Sequence, residues 1–187
     1  MPTQEQLQST GVSFFEAFSS NTPSRELLGF FSTSGMPVIQ HAPLTCPHPQ
    51  TSRLTGSNAV RSYFDLLATH WTRSNAKMVE KPKVDLAQRR VTLTATTRWT
   101  WRKSGRGWTE DFTWTLDFDE SLKILSFVAR TTSPPGTCVM RAIDAEPSAH
   151  LQSSTRSVCL LCFYVVKAWR YILTKLLLDM SSNEIMV

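Results

Sequence analysis

Glu110 is the strongest candidate for chemistry in this chain, because it is a carboxylate on an otherwise apolar strand face. In the stretch GWTEDFTWTLDF, a period of two places Glu110 on one face with Trp108 and Phe112. A carboxylate on a buried face is costly unless it is paired or functional, and such a setting suits general acid–base catalysis. Two alternatives stay open, because a residue near the end of a strand can also reach solvent or pair with an arginine.

His41 is the second candidate, and it ends a short strand with the sequence VIQH. A histidine exchanges a proton near neutral pH, so His41 and Glu110 form the predicted catalytic pair; a histidine hydrogen-bonded at a pocket rim is the alternative. Arg130 lies in the last strand, where it shares a face with Ile124 and Val128. If that face turns inward, Arg130 neutralises the acid as a ligand-pocket residue, and otherwise it points to solvent.

The sequence predicts neither a metal nor a cofactor. It contains no nucleotide-binding glycine loop and no nucleophile elbow. His41, Cys46 and His48 offer metal-ligating atoms, but the prolines between them stiffen the loop and no fourth ligand is evident. Cys159 and Cys162 lie in an apolar run without a second ligand pair, which favours two buried thiols over a redox or metal site.

A long β-hairpin over residues 91–118 is predicted to carry Glu110. Alternation with a period of two continues on both sides of a glycine-containing turn. A turn over residues 102–107 would place Trp99 opposite Glu110, whereas a two-residue turn at 105–106 would keep the same faces with different partners. In either register one aromatic face needs a cover, and Glu110 is the single carboxylate on it.

Three helices are expected to cover that face. The predicted elements are helix 4–18, a short helix from Thr22 to about Phe31, strand Val38–His41, a helix opening at Ser57, a strand over Met78–Leu86 interrupted by Pro82, the hairpin, and strand Leu122–Thr132. The buried stripe of the long helix is Val60, Phe64, Leu67 and Trp71. This order predicts an α+β fold, in which N-terminal helices pack in a curved antiparallel sheet, a half-cone or α+β roll with an internal pocket.

Composition places the chain among globular proteins, because 41% of its 187 residues are hydrophobic and 19% are charged. The net charge of +5 comes partly from a basic cluster at the hairpin tip. No nucleic-acid-binding motif accompanies that cluster, so a solvated sheet edge is favoured over nucleic-acid binding. The polar N-terminal stretch lacks the hydrophobic core of a signal peptide, and a cytoplasmic protein is therefore expected.

Two segments are predicted, a domain over residues 1–135 and a tail over 136–187. The tail begins as a polar linker and continues as VCLLCFYVVKAWRYILTKLLL. That stretch is long enough to cross a bilayer, but it contains Lys167, Arg170 and Lys175. A poorly packed amphipathic tail is therefore favoured, with membrane contact as the less favoured alternative.

Residues 4–132 resemble the SnoaL-like branch of the nuclear transport factor 2-like superfamily. The resemblance rests on the order and spacing of four features: the N-terminal helix with Phe14-Phe15, the strand VIQH, the helix start LTGSNAVRSYF and the turn FDESLKI. The last motif departs from the family pattern, because Leu122 stands where the family has glycine.

The resemblance implies a cone with a hydrophobic ligand pocket, lined in this chain by Phe64, Trp99, Phe112 and Trp114. It also implies cofactor-free acid–base chemistry on a small hydrophobic molecule, as in the family's polyketide cyclases and isomerases of secondary metabolism. The family includes non-catalytic binding or dimerisation modules, so a homodimer through the sheet is the alternative. The tyrosine–aspartate oxyanion pair of the ketosteroid isomerases is not matched, because the only tyrosines are Tyr63, Tyr164 and Tyr171.

Overall fold

A computed structural model describes residues 2–46 and 53–144 of the chain, and these residues form an α+β fold. The helices are α1 (Gln4–Ser19), α2 (Ser24–Leu27) and α3 (Ser57–His70), with a 3-10 turn at Leu28–Phe30. The strands are β1 (Val38–Pro43), β2 (Arg53–Thr55), β3 (Trp71–Met78), β4 (Lys83–Asp85), β5 (Arg90–Trp101), β6 (Gly107–Phe118) and β7 (Ile124–Thr131). Two further 3-10 turns follow at Pro135–Thr137 and Val139–Arg141.

All seven strands belong to one curved, open sheet, which confirms the predicted fold class. The order across the sheet is β2-β1-β7-β6-β5-β3, and β4 also pairs with β5. Neighbouring strands are antiparallel except β1 and β7, which run parallel. The parallel pair joins the first strand to the last, and it brings the C-terminal ends of both strands to the same end of the sheet.

Helix α1 lies inside the curve of the sheet because one of its faces is apolar. Its buried residues recur at helical spacing: Leu7, Gly11, Phe14, Phe15 and Phe18. Its N-terminus is closed by a capping box between Thr3 and Gln6. At Gly11 the helix approaches the sheet so closely that a Cβ atom would lie 3.0 Å from the side chain of Val91.

The predicted hairpin is present, but its register is shifted by two residues from the expected one. Trp99 faces Trp108, and Glu110 faces Thr97. The turn is tighter than predicted, because Trp101 already pairs with Arg106 through the Trp101 N–H. An even shift keeps every side chain on its predicted face, so Glu110 still points into the core, with Trp99 as its diagonal neighbour.

The segment after α3 was predicted wrongly. Trp71 was expected in the helix stripe, but α3 ends at His70 and Trp71 begins β3. The expected single strand over Met78–Leu86 is instead the end of β3 and the separate β4, both paired with β5. β3 gave little strand signal, because most of its residues are polar and a bulge between Ser74 and Lys77 interrupts its alternation.

The compact unit extends past the predicted domain end at residue 135. Cys138 and Val139 are fully buried, and the described residues up to Asp144 belong to the same compact unit. The rest of the predicted tail, from residue 145 onward, lies outside the described residues. Within residues 2–46 and 53–144, none of the helices has the length and apolar character that crossing a bilayer requires.

Asp119 organises the turn between β6 and β7. Its Oδ1 atom accepts hydrogen bonds from the backbone N–H groups of Ser121 and Lys123, both at 2.9 Å, and its Oδ2 atom accepts one from Ser32 Oγ at 2.7 Å. Partial burial raises the pKa of Asp119, but these hydrogen bonds outweigh it and leave the pKa below its ordinary value. Leu122 adopts a φ of +61° here, a conformation that explains why glycine suits this position in the family pattern.

We predict that Asp119→Asn lowers the free energy of unfolding at pH 7 by about 1 kcal/mol. A lowered folded-state pKa contributes stability above the unfolded-state value near 3.8, and that contribution is lost as the pH falls through the folded-state value. Urea denaturation at pH 7 and at about pH 3 measures the free energy of unfolding. The difference in this free energy between variant and wild type should be smaller at the lower pH. Glu120→Gln is the control, and a difference that is independent of pH would contradict the prediction.

Candidate active site

Glu110 sits at the centre of a buried polar cluster, where both of its carboxylate oxygens are fully hydrogen-bonded. Oε1 accepts from Thr131 Oγ1 at 2.5 Å and lies 3.0 Å from His41 Nε2. Oε2 accepts from Trp99 Nε1 at 2.7 Å and from the Val139 N–H at 3.3 Å. These four donors come from four separate segments, so the carboxylate ties β1, β5, β7 and the C-terminal 3-10 turn to β6.

The hydrogen-bond pattern makes Glu110 Oε2 an acceptor. Indole and backbone N–H groups can only donate, so Oε2 must be an acceptor towards both Trp99 and Val139. The distance to Thr131 Oγ1 lies in the range of charge-assisted O–H···O⁻ bonds. A charged carboxylate that is fully buried has to gain several such bonds to offset its lost hydration.

His41 links Glu110 to Tyr63. The parallel pairing of β1 with β7 places His41 beside Ala129, two residues from Thr131. Nε2 faces Glu110, and Nδ1 lies 2.8 Å from the Tyr63 hydroxyl. We assign the Nε2–H tautomer, in which Nε2 donates to Glu110 and Nδ1 accepts the proton of the Tyr63 hydroxyl. The three residues thus form a continuous relay, Tyr63 to His41 to Glu110.

Tyr63 keeps its proton at neutral pH. Burial, followed by the charge of Glu110, raises the pKa of Tyr63 well above its ordinary value. Tyr63 was not among the predicted site residues, although it lies on the buried face of α3 with Val60, Phe64 and Leu67. The available signal was a tyrosine on a buried helical stripe, since a buried hydroxyl usually has a hydrogen-bond partner.

The C-terminal 3-10 turns cover the site at the end of β6 that carries Trp108 and Glu110. The Val139 N–H donates to Glu110, and the indole N–H of Trp108 donates to the Thr137 carbonyl at 2.7 Å. Burial and the charge of Glu110 raise the pKa of Cys138 to about 11, so its thiol is protonated at neutral pH. These contacts were not predicted, because they lie beyond the predicted domain end at residue 135.

Three side chains of this cluster are near enough to ligate one metal ion. Ligand atoms of His41, Glu110 and Cys138 lie within 4.8 Å of one another, and a histidine–carboxylate–thiol set suits zinc. The donor set argues against it, because the acceptor positions of Glu110 are filled by protein donors. The set of His41, Cys46 and His48, which the sequence argues against as a metal site, includes His48, which lies outside the described residues.

The predicted pocket residues fall into three groups. Trp99 contacts the site directly through its hydrogen bond to Glu110. Phe64, Phe112 and Trp114 are buried in the aromatic core, where the rings of Phe112 and Trp114 stack with centroids 5.2 Å apart. Arg130 does not reach the site, because it is half-buried on the opposite face of β7 from Thr131, with Nη2 3.5 Å from Gln40 Oε1.

The predicted internal pocket stays a prediction. Two surface concavities of about 410 and 310 Å³ are formed by described residues. The larger lies at the end of α3 and the hairpin turn, and the smaller lies between β3 and the hairpin. Neither is lined by His41, Glu110 or Tyr63, and in the described part of the chain the space around the relay is occupied by side chains less than 2% exposed.

Comparison with known proteins supports the fold. No family model matches the chain, and no curated protein matches it. The solved structure of AusH from Aspergillus nidulans is similar, with a TM-score of 0.57 and 16% sequence identity over 71% of this chain and 88% of AusH. At this identity the likeness shows the fold alone, so the α+β cone is confirmed and the SnoaL-like resemblance stays a prediction at the level of the family.

We predict that Glu110→Gln destabilises the protein by about 2 to 4 kcal/mol, because the amide keeps only one of the two acceptor oxygens that four neighbouring groups contact. Guanidinium chloride denaturation of the full chain measures the effect. Asp111→Asn is the matched control, since Asp111 is the next residue of β6 and is exposed. A Glu110→Gln variant as stable as the control would show that the carboxylate charge is unimportant to the fold.

We also predict that His41, Glu110 and Cys138 hold no metal in the purified protein. Elemental analysis should find substoichiometric zinc, and cobalt titration should give no thiolate-to-cobalt absorption band from Cys138. Stoichiometric metal that is lost in Cys138→Ala and retained in Cys46→Ala would overturn this prediction.

Proposed function

We propose that the chain is a cofactor-free acid–base catalyst that acts on a small hydrophobic carbonyl compound by isomerisation or cyclisation. The observation that carries the proposal is the buried relay of Tyr63, His41 and Glu110. In it a protonated hydroxyl, an imidazole and a carboxylate are joined by hydrogen bonds of 2.8 and 3.0 Å. Such a series of hydrogen-bonded groups can move a proton between a reacting group and a buried base.

Each member of the relay has a distinct role in this proposal. Tyr63 is the group that meets the substrate: its oxygen takes a proton from the carbon next to the substrate carbonyl and leaves an enolate, while its own hydroxyl proton passes to His41 Nδ1. Glu110 fixes the tautomer of His41 and stabilises the imidazolium that forms, as the carboxylate of a hydrolase triad does, and the reverse transfers return a proton to carbon. Trp99, Thr131 and Val139 hold Glu110 in place through their hydrogen bonds.

The aromatic surroundings of the relay favour a hydrophobic substrate. Low local polarity strengthens each electrostatic contact inside the site and excludes water from it. A substrate enters in this proposal when the C-terminal 3-10 turns move away from Glu110. Opening them breaks the Trp108–Thr137, Val139–Glu110 and Arg141–Cys46 contacts, so in this proposal the turns serve as a lid.

The resemblance to SnoaL-like domains supports this class of reaction, because its members include cyclases and isomerases without cofactors. The structural likeness to AusH is consistent with it at the level of the fold. A cytoplasmic location and a place in secondary metabolism belong to the same proposal.

A non-catalytic binding or dimerisation module is the second candidate function. The observation that favours it is the filled interior, since every acceptor position of Glu110 is already taken by the protein. This candidate expects a homodimer through the outer face of the sheet, where threonines line the hairpin. Sedimentation at high protein concentration tests it, because a monomer there counts against dimerisation.

Hydrogen–deuterium exchange at carbon tests the catalytic proposal without knowledge of the natural substrate. Aryl alkyl and β,γ-unsaturated ketones are incubated with the full chain in D₂O, and mass spectrometry follows deuterium incorporation. We expect exchange above the buffer rate on at least one ketone, and a loss of about 100-fold or more in Tyr63→Phe and His41→Gln.

His70→Gln is the matched control, because His70 lies at the surface end of α3 and away from the relay. Circular dichroism confirms that each variant is folded. Exchange no faster than in buffer on every ketone, or equal exchange by Tyr63→Phe and wild type, would overturn the catalytic proposal in favour of the second candidate.

A further inference from the structure

Arg73 is a buried cation on the same face of the sheet as the relay. It lies in β3 directly opposite Trp99, and its side chain points inward, where the residue is only 6% exposed. Its guanidinium carbon is 4.2 Å from the centroid of the Phe18 ring, a cation–π contact. Burial lowers the pKa of Arg73 to about 10, so the side chain remains charged at neutral pH.

No carboxylate pairs with this cation among residues 2–46 and 53–144. Its one hydrogen-bond acceptor in that part of the chain is Asn21 Oδ1, which the Nε–H reaches at 3.3 Å. Arg90 and Arg106, which are more exposed, do have carboxylate partners, in Asp117 and Asp144. The most costly guanidinium to bury is therefore the one that lacks an anion.

Arg73 is coupled electrostatically to the relay. Trp99 joins the two sites, because it faces Arg73 across the strands and donates its indole N–H to Glu110. The Tyr63 hydroxyl is influenced by both charges, since Glu110 raises the pKa of Tyr63 and Arg73 lowers it. The Tyr63 hydroxyl thus lies within range of a buried anion and a buried cation.

We propose that the two Nη groups of Arg73 bind the carboxylate of a small hydrophobic acid, so that the substrate is a hydrophobic keto acid and not a neutral ketone. This inference rests on the proposed function and names its substrate class. A guanidinium presents paired N–H groups that match a carboxylate in a bidentate geometry. Binding supplies the anion that Arg73 lacks and leaves the carbon next to the substrate carbonyl for Tyr63.

A structural role for Arg73 is the competing explanation. The residue packs on Phe18 and Asn21 at the C-terminal end of α1, where a cation is favourable to the helix dipole. That role predicts a loss of stability on substitution and no effect on ligand affinity. The two explanations therefore differ in a binding measurement.

Calorimetric titration of the full chain with matched ligand pairs makes that measurement. The probes are decanoate, 4-phenylbutyrate and 2-naphthoate, each compared with its own methyl ester. We expect at least one carboxylate to bind more tightly than its ester, and Arg73→Gln to weaken that carboxylate by about tenfold or more while leaving the ester unchanged. Arg130→Gln is the control for general positive charge, because Arg130 lies on the outer face, and it should bind as wild type does.

Three outcomes would overturn the inference: no carboxylate preferred over its ester, a preference that survives Arg73→Gln, or an equal loss in Arg130→Gln. Tyr63→Phe separates this inference from the proposed function, because it should lose exchange activity and keep the carboxylate preference. If ketone exchange is absent but the Arg73-dependent preference is present, the chain binds hydrophobic acids without catalysis. That result would overturn the proposed function and leave the carboxylate site of Arg73 standing.

Discussion

A carboxylate inside an aromatic core costs several kcal/mol unless its oxygens are hydrogen-bonded, and Glu110 is fully buried in such a core. The donors that satisfy it come from β1, β5, β7 and the C-terminal turn. The parallel pairing of β1 with β7 and the closing of the sheet's end by Val139 both bring donors to this one group. Apolar burial by α1 and α3 stabilises the cone as a whole, while Glu110 fixes how its strands and C-terminal turn meet.

The interior also contains a buried group of the opposite charge, Arg73. Arg73 is the cross-strand partner of Trp99, and Trp99 donates its indole N–H to Glu110. Arg73 lies in an interior where few other groups can screen its charge. Opposite charges attract strongly at low dielectric, but the two groups do not form an ion pair in this fold. The interior is thus polarised, and a small molecule with an anionic end and a carbonyl end would complement that polarity.

The sequence pattern predicted which side chains point to the core better than it predicted which residues they contact. The period of two placed Glu110 and Trp99 on the inner face of the hairpin correctly, and an even register shift left that result intact. The direction of Arg130 could not be predicted, because β7 alternates between residues of similar hydrophobicity. Tyr63 was predictable as a buried residue of α3, but its partner His41 is 22 positions away and meets it only through tertiary packing. The fold class was therefore accessible from local periodicity, whereas the relay depends on contacts between distant segments.

A buried polar cluster whose groups are all hydrogen-bonded can belong to a scaffold or to a catalyst. The two differ in how many hydrogen bonds each group of the cluster makes to the protein. A scaffold needs each group held on all sides, as Glu110 is. A catalyst needs one group at the end of the chain of hydrogen bonds that can exchange its partner for a substrate. Tyr63 has that position, because its hydroxyl has one hydrogen-bond partner among the described residues, His41, and its lone pairs are free to accept. Glu110 is held by four hydrogen bonds and Tyr63 by one, so the two ends of the relay differ. A purely structural cluster does not require this difference.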